Sequence, residues 1–463
     1  MLRDKLRKNF IFEKPFIIAV ITIALPIAAQ NIISFGVSVM DSIMLGSFGD
    51  VAISAANLGG QPFFILMSVG FGLSSGGSVL IAQYWGKHDI AHIRKVMRMS
   101  MQFVFIASVI FTLGCMLFPA QIMSIFSPDK DIISAAAGYL SLVALSYVPY
   151  AISNNYLMSL RAVEQVKVST FIYLISFFIN VIFNYGFIFG KFGLPRLEVR
   201  GAALGTVIAR CSELLMVLIY MYTREKEIGF RITDCFKTNW ELLPSYVKHS
   251  VPVVGNEVMW GVGTTMITLI IGRISGSFLA ANSIAGVVNQ MALVFVFGVG
   301  NAAAILTGKA IGEGNIERSK RVANTLIVIA FCLSIFSCAA LLLARLPFLS
   351  IYKVTQETHD IAYNIMTVLA FLQLSISIEV TTIVGVLRGG GDTRTAFFID
   401  CGCLWLIGLP MGLLAGFVFK LSPPLVYLCL RMDSPIKSIL TLIRIRSGKW
   451  VRNVTIGEQK RRT

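Results

Sequence analysis

Twelve stretches of this chain are apolar for long enough to cross the roughly 30 Å of hydrocarbon in a bilayer, and a chain with that many spans has few folds open to it. They cover residues 15–45, 52–83, 94–119, 132–158, 166–190, 200–222, 246–272, 278–308, 320–344, 358–387, 395–418 and 422–443. Several exceed the minimum, which predicts tilting, kinking or extension beyond the bilayer. At 56% hydrophobic and 14% charged residues, the 463-residue chain is too apolar for a soluble domain. The fold class expected is an all-α membrane protein with twelve transmembrane helices. The basic opening, MLRDKLRKNFIFEK, could begin a secretion signal, but the apolar run after it lasts far longer than the 7–15 residues of a signal core. A retained first helix is the expectation.

The basic residues sort the connections into two sides. Thirty-one of the 40 Lys and Arg fall at the N-terminus, in the 2-3, 4-5, 6-7, 8-9 and 10-11 connections and at the C-terminal end, Arg388, Arg431 and Lys437 among them; eight fall in the remaining connections. The positive-inside rule then places both termini in the cytoplasm. It also accounts for the net charge of +16 without nucleic acid. The expected division is a cytoplasmic segment 1–14, a six-helix lobe 15–222, a linker 223–245, a second six-helix lobe 246–443 and a basic cytoplasmic tail 444–463. The linker mixes charges with Phe230, Phe236 and Trp240, the composition of an interfacial segment. The eight cysteines lie mostly inside apolar runs with no repeated CxxC spacing, so no disulfide or metal framework is expected.

The two lobes are copies. PIAAQNIISFGVSVMDSIMLG (26–46) recurs 226 positions later as PVVGNEVMWGVGTTMITLIIG (252–272). GKHDIAHIRK (86–95) recurs as GEGNIERSKR (312–321), and SLRAVEQVK (159–167) as VLRGGGDTR (386–394). An even number of helices per copy makes this a parallel repeat, two pseudo-symmetric six-helix bundles related by an axis along the membrane normal, with a cavity between the lobes. The copies differ in their acids: Asn31 answers to Glu257, and Asp41 to Ile267. Pro26 lacks an amide proton and clashes with the preceding turn, which makes it the candidate hinge of the first helix.

Six charged residues within the apolar runs stand out as candidates: Asp41, Arg210, Glu213, Glu257, Glu379 and Asp400. Each requires a partner, a proton or water. Arg210 and Glu213 are three apart and can pair with each other, as a structural bridge or in transport. Trp260 and Trp405 fall mid-helix, where they either pack or form aromatic walls for a lipophilic cation. Asn57, Gln61, Asn282, Asn289 and Gln290 either line a wet cavity or hold helices together. With Trp260, Glu379 and Asp400 they form the candidate substrate cavity.

Over almost its whole length the chain resembles the multidrug and toxic compound extrusion (MATE) family of secondary transporters. The resemblance rests on MDSIMLGSFGDVAISAANLG, GFGLSSGGSVLIAQYWGKHD, the LRA and LRGGGDTR loops, RGAALGT and the closing RSGKWVRN, in that order and spacing. It implies efflux of organic, often cationic, compounds coupled to H⁺ or Na⁺ by alternating access. It also implies an N-lobe cation or proton site at Asp41, Asn180, Asn184 and Thr206, where Asn184 stands in place of an acid. Glu257 matches a second coupling acid of the family, while Ser377 stands where its helix-10 partner is expected. Three neutral partners leave Asp41 as a lone carboxylate, which takes a proton readily once out of water and tilts this lobe toward H⁺.

Other classes fit less well. All four histidines lie in or beside connections, so no intramembrane nucleophile or metal cluster is evident and an enzyme is not expected. A channel needs a constriction repeated around an axis, which two diverged copies do not supply. A lipid-linked precursor or polysaccharide flippase is the alternative, but it would be expected to show cationic side chains at the central cavity. The expected partners are small organic cations and membrane lipid, with a monomer in the plasma (inner) membrane and no cofactor besides the coupling ion.

Overall fold

The computed structural model describes residues 9–48, 50–237, 240–352 and 354–455. Expectations for Arg3, Lys5, Arg7, Lys8, Lys353, Lys460, Arg461 and Arg462 lie outside the described residues. Among those described there is no strand. Among the described residues eleven helices are long and apolar enough to cross a membrane: α1 Lys14–Gly46, α2 Ala52–Gly86, α3 Ile90–Leu117, α4 Lys130–Ala162, α5 Val166–Phe189, α6 Glu198–Thr223, α7 Leu243–Ile274, α8 Gly276–Gly312, α9 Ile316–Leu349, α10 Gln356–Leu387 and α11 Thr393–Val418. The last apolar run forms two shorter helices, α12 Pro423–Leu430 and α13 Asp433–Arg446, parted at Arg431 and Met432.

The helices are apolar on the outside. On α3, Ile106, Ile110, Leu113 and Leu117 form one exposed stripe at helical spacing, while Ser100 and Ser108 are buried. That inversion suits a hydrocarbon surround, where apolar side chains lose nothing by facing out. It is carried furthest in α13. Asp433, Ser434, Lys437, Ser438 and Thr441 are buried, and Ile439, Leu440 and Ile443 are exposed.

The duplication is visible in the backbone. His88 and Gly314, 226 apart, both take left-handed φ (60° and 78°), and Glu164 and Gly391, at the loop offset, do the same (66° and 81°). Asp89 caps α3 by accepting from the His92 amide, and Asn315 caps α9 by accepting from the Arg318 amide. Left-handed φ is easy for glycine and costs a side-chain-bearing residue. The second copy thus carries glycine at both turns where the first tolerates His and Glu.

The chain gathers into two compact units. One holds the residues up to Ala28, Ala82–His88 and Gly255 onward; the other holds Ala29–Ile81 and Asp89–Val254. The boundaries inside α1 and α7 each fall two residues past a proline, Pro26 and Pro252, at positions 226 apart. Both helices continue through their prolines.

In the unit holding Asp89–Val254, the core gathers around Ala55, Leu66, Ala136, Leu140, Tyr147 and Ala203. The 6-7 connection is docked on α3. Ile228 and Phe230 are fully buried, and Glu225 accepts from the amides of Ile228 and Gly229 at 2.6 and 2.8 Å. Gln102 donates to the Cys235 carbonyl at 2.6 Å, and Lys95 pairs with Glu241 at 2.7 Å. Of the three aromatic residues expected at an interface, Phe236 and Trp240 are exposed and Phe230 is not. Burial, reinforced by the neighbouring Asp234 carboxylate, raises the Cys235 thiol to about 11.

In the other unit, α8, α9 and α10 pack around Ile271, Phe278, Ala285, Ile365 and Leu369. The end of α2 crosses α8 at glycines. A methyl group at Gly312 would lie 1.9 Å from the Gln83 carbonyl oxygen, and one at Gly86 would lie 2.0 Å from that of Lys309. The chain after α13 folds back over this crossing. Gln83 donates to the carbonyls of Gly389 (3.3 Å) and Arg452 (3.2 Å) and accepts from the Val454 amide (2.9 Å). Asp392, fully buried, takes Arg444 at 2.7 Å and Arg452 at 2.9 Å. These contacts tie LRGGGDTR to RSGKWVRN: the loop supplies the acid Asp392, RSGKWVRN supplies Arg452, and Arg444 joins them from the end of α13.

Candidate functional site

Two buried polar centres result. In the unit of Ala29–Ile81 and Asp89–Val254, Asn184 of α5 donates to Asp41 of α1 at 2.6 Å and reaches Asn180 Oδ1 at 3.2 Å; Asn180 in turn reaches Thr206 of α6 at 3.5 Å. Asn180 and Asn184 lie one turn apart on one face of α5, so both can point at α1 and α6. Gly205 makes this possible, since a methyl group there would meet Asn184 Oδ1 at 2.0 Å. All four residues named for this site are therefore in one chain of contacts. No Lys or Arg among the described residues lies in ion-pair range of Asp41. Nearby, Arg210 pairs with the fully buried Glu213 at 2.6 Å, and Glu213 also accepts from Ser153 at 2.7 Å. Arg210 lies 4.9 Å from the centroid of the Tyr150 ring.

The second centre is in the unit of Gly255 onward. Lys437 of α13 holds three carboxylates: Asp400 of α11 at 2.7 Å, Asp433 at 2.7 Å and Glu379 of α10 at 3.2 Å. Asn256 of α7 donates to the other oxygen of Asp400 at 2.8 Å. Glu257, next to Asn256, pairs with Arg388 at 2.9 Å. Lys437 is 2% exposed and Arg388 3% exposed. Polar contacts continue along the face that α13 turns to α10. Ser434 reaches Ser375 Oγ (3.3 Å), Ser438 donates to the Ser375 carbonyl (2.8 Å) and Thr382 donates to Thr441 (2.9 Å).

Counting Lys437 and Arg388 as loop cations is corrected here. Both are interior partners of acids and carry no information about sidedness. The sequence held a signal for this: Asp433, Ser434, Lys437, Ser438 and Thr441 recur at helical spacing on one face of a segment whose other face is apolar.

The candidate cavity residues are only partly brought together. Glu379 and Asp400 share Lys437. Asn289 accepts from Gln373 of α10 at 2.8 Å. Gln61 reaches back one turn to the Asn57 carbonyl at 3.5 Å, and Asn57 and Gln61 are otherwise exposed. Trp260 is 41% exposed, whereas Trp405 donates to the Met259 carbonyl at 3.3 Å and ties α11 to α7. Asn282 is half-buried and Gln290 exposed.

A duplicated all-α membrane protein with ionisable residues buried inside each unit has the design of a solute transporter rather than of a hydrolase or a pore. The MatE family model matches residues 26–186 and 252–414, and the chain belongs to the MatE family. That family consists of transporters, and the chain is not an enzyme. Among relatives, it is 24% identical over 434 residues to the probable multidrug resistance protein NorM of Agrobacterium fabrum, covering 89% of this chain and 92% of the relative. It is 24% identical over 409 residues to the multidrug resistance protein MdtK of Yersinia enterocolitica, covering 88% and 89%. A MATE protein solved in complex with MaL6 superposes with a TM-score of 0.85 at 16% identity, over 93% of this chain and 96% of that one, which shows the shared fold.

Proposed function

We propose that this protein is a secondary active multidrug efflux transporter of the plasma membrane, exchanging organic, cationic compounds for H⁺ or Na⁺ by alternating access. The observation that carries the reading is the Asp41–Asn184–Asn180–Thr206 chain, a lone carboxylate held by neutral donors and able to gain or lose one positive charge. Pro26 is the hinge through which that change bends α1. In the second lobe Glu257 is the acid that serves cation recognition, while Glu379 and Asp400 are held by Lys437. The names of the relatives support export of drugs. A flippase for phosphate-bearing lipid precursors is disfavoured because both buried cations of the second centre, Arg388 and Lys437, are taken by acids. Cells expressing the chain are expected to accumulate less of a lipophilic cationic dye than control cells, and to lose that advantage when the H⁺ and Na⁺ gradients are collapsed. Equal accumulation with and without the protein would overturn the reading.

Both termini are assigned to the cytoplasm. With the eight native cysteines replaced, a cysteine at position 129 should react with an impermeant maleimide in intact cells, and one at 454 only after lysis. The opposite pattern would reverse the topology.

A further inference from the structure

The three carboxylates around Lys437 form a cation site that is already filled by the chain itself. An ammonium group has three N–H donors and no acceptor. Lys437 lies within ion-pair distance of three carboxylates, Asp400 and Asp433 at 2.7 Å and Glu379 at 3.2 Å, and donates a hydrogen bond to the last. The acids come from α11, α13 and α10, so the convergence is tertiary and no single helix could produce it. The surroundings are polar in the way a cation site is polar. Asn256 orients Asp400, Ser434 and Ser438 line the adjoining turn, and Thr382 and Thr441 close the seam. The anionic capacity is not used up by the resident cations. Four acids, Glu257, Glu379, Asp400 and Asp433, face three bases, Lys437, Arg388 and Arg431, and Asp433 Oδ1 is buried with no hydrogen-bond partner among the described residues. Among those residues no group of acids, histidines or cysteines is set to hold a metal ion. At this centre Lys437 stands between the acids.

We propose that Lys437 is a tethered cation occupying what would otherwise be a Na⁺ site of the second lobe, so that this lobe is insensitive to Na⁺ and ion exchange is left to the Asp41 centre. The second half of that statement rests on the function proposed above; the first half does not. A side chain anchored to α13 competes at a very high effective concentration, because it pays no cost of association. A free ion would therefore have to displace it. Removing the ammonium while keeping the acids should open the site.

The test is thermal unfolding of purified, detergent-solubilised full-length protein in NaCl against choline chloride at equal ionic strength. Wild type should show no Na⁺-specific shift that depends on Asp400 or Glu379. Lys437→Gln should show a saturable Na⁺-specific rise in Tm of ~2 °C, the linkage signature of a ligand that binds only the folded state. Adding Asp400→Asn to Lys437→Gln should abolish the rise, and Lys437→Arg should behave as wild type. If Lys437→Gln does not fold, Asp433→Asn/Lys437→Gln retains the net charge of the cluster and leaves Glu379 and Asp400 to bind the ion, with the same rise expected. A Na⁺-specific shift in wild type that Asp400→Asn or Glu379→Gln removes would overturn the proposal. So would a folded Lys437→Gln or, where that variant does not fold, a folded Asp433→Asn/Lys437→Gln that remains indifferent to Na⁺. Because the readout is unfolding rather than transport, it is decided independently of whether dye efflux is observed.

Discussion

Asp41→Asn is expected to bring efflux of a cationic dye down to the level of cells lacking the protein, a loss of at least about 10-fold, with yield and Tm close to wild type. The amide is nearly isosteric with the carboxyl group, and its oxygen can still accept from Asn184 at the present 2.6 Å. The packing that holds α1 to α5 is therefore kept. What is lost is the ability to change charge. A ligand shifts a conformational equilibrium only by its differential affinity for the two states, and moving it from 1:99 to 99:1 takes about 10⁴-fold. An asparagine has no ionised form to offer either state, so the exchange has no driving step. Efflux is expected to follow an imposed pH gradient in wild type and to ignore it in the variant. Normal transport by Asp41→Asn, or wild-type efflux that follows only a Na⁺ gradient, would sink this account of the site.

Gly312→Ala is expected to destabilise the protein by about 2–3 kcal/mol, although replacing glycine by alanine inside a helix ordinarily stabilises it by up to about 1 kcal/mol. The added methyl group would sit 1.9 Å from the Gln83 carbonyl oxygen, backbone against backbone, with no flexible side chain to move aside. Displacing Gln83 would also disturb its bonds to Gly389, Arg452 and Val454, so the C-terminal chain loosens with the crossing. Gly286→Ala, on the same helix with nothing within 4 Å of the new methyl group, is the control and should be neutral or slightly stabilising. The comparison is made by thermal unfolding in detergent. Equal Tm values for the two variants would mean that α2 and α8 do not cross this closely.

Much of the fold is legible in the sequence because hydrocarbon imposes one simple demand, about twenty apolar residues per crossing, and because the chain states its architecture twice. The 226-residue offset that aligns Pro26 with Pro252 also aligns the left-handed turns at His88 and Gly314 and the caps Asp89 and Asn315. Asp41 stood out for the same reason, an acid with no excuse in an apolar run. The second centre was half hidden. Glu257, Glu379 and Asp400 were visible as misplaced charges, but Lys437 and Arg388 sat near the ends of runs, where the positive-inside rule offers a sufficient explanation for any cation. Nothing local distinguishes a lysine that faces the cytoplasm from one that turns inward to meet acids more than thirty residues earlier in the chain. The distinction lies in α13 as a whole, whose buried face is its polar one. The docking of the 6-7 connection was likewise beyond reach, since the partners of Glu225 and Cys235 are amides and a glutamine with no compositional signature.

The buried polar face of α13 bears on how the chain enters the bilayer at all. A single Lys or Asp at the centre of a helix costs about 2.5–3.5 kcal/mol on insertion, and this segment carries both, four residues apart, just after Arg431. By itself it is a poor candidate for leaving the translocon into lipid. Its counter-charges Glu379 and Asp400 lie on α10 and α11, which are synthesised first and would already be in the membrane. The order of synthesis thus presents the acids before the lysine that neutralises them, and the last apolar run is drawn in by partners rather than by hydropathy. A chain ending after Leu430 would strand Glu379 and Asp400 without Lys437, and its fate would be recognition by quality-control proteases rather than slow transport.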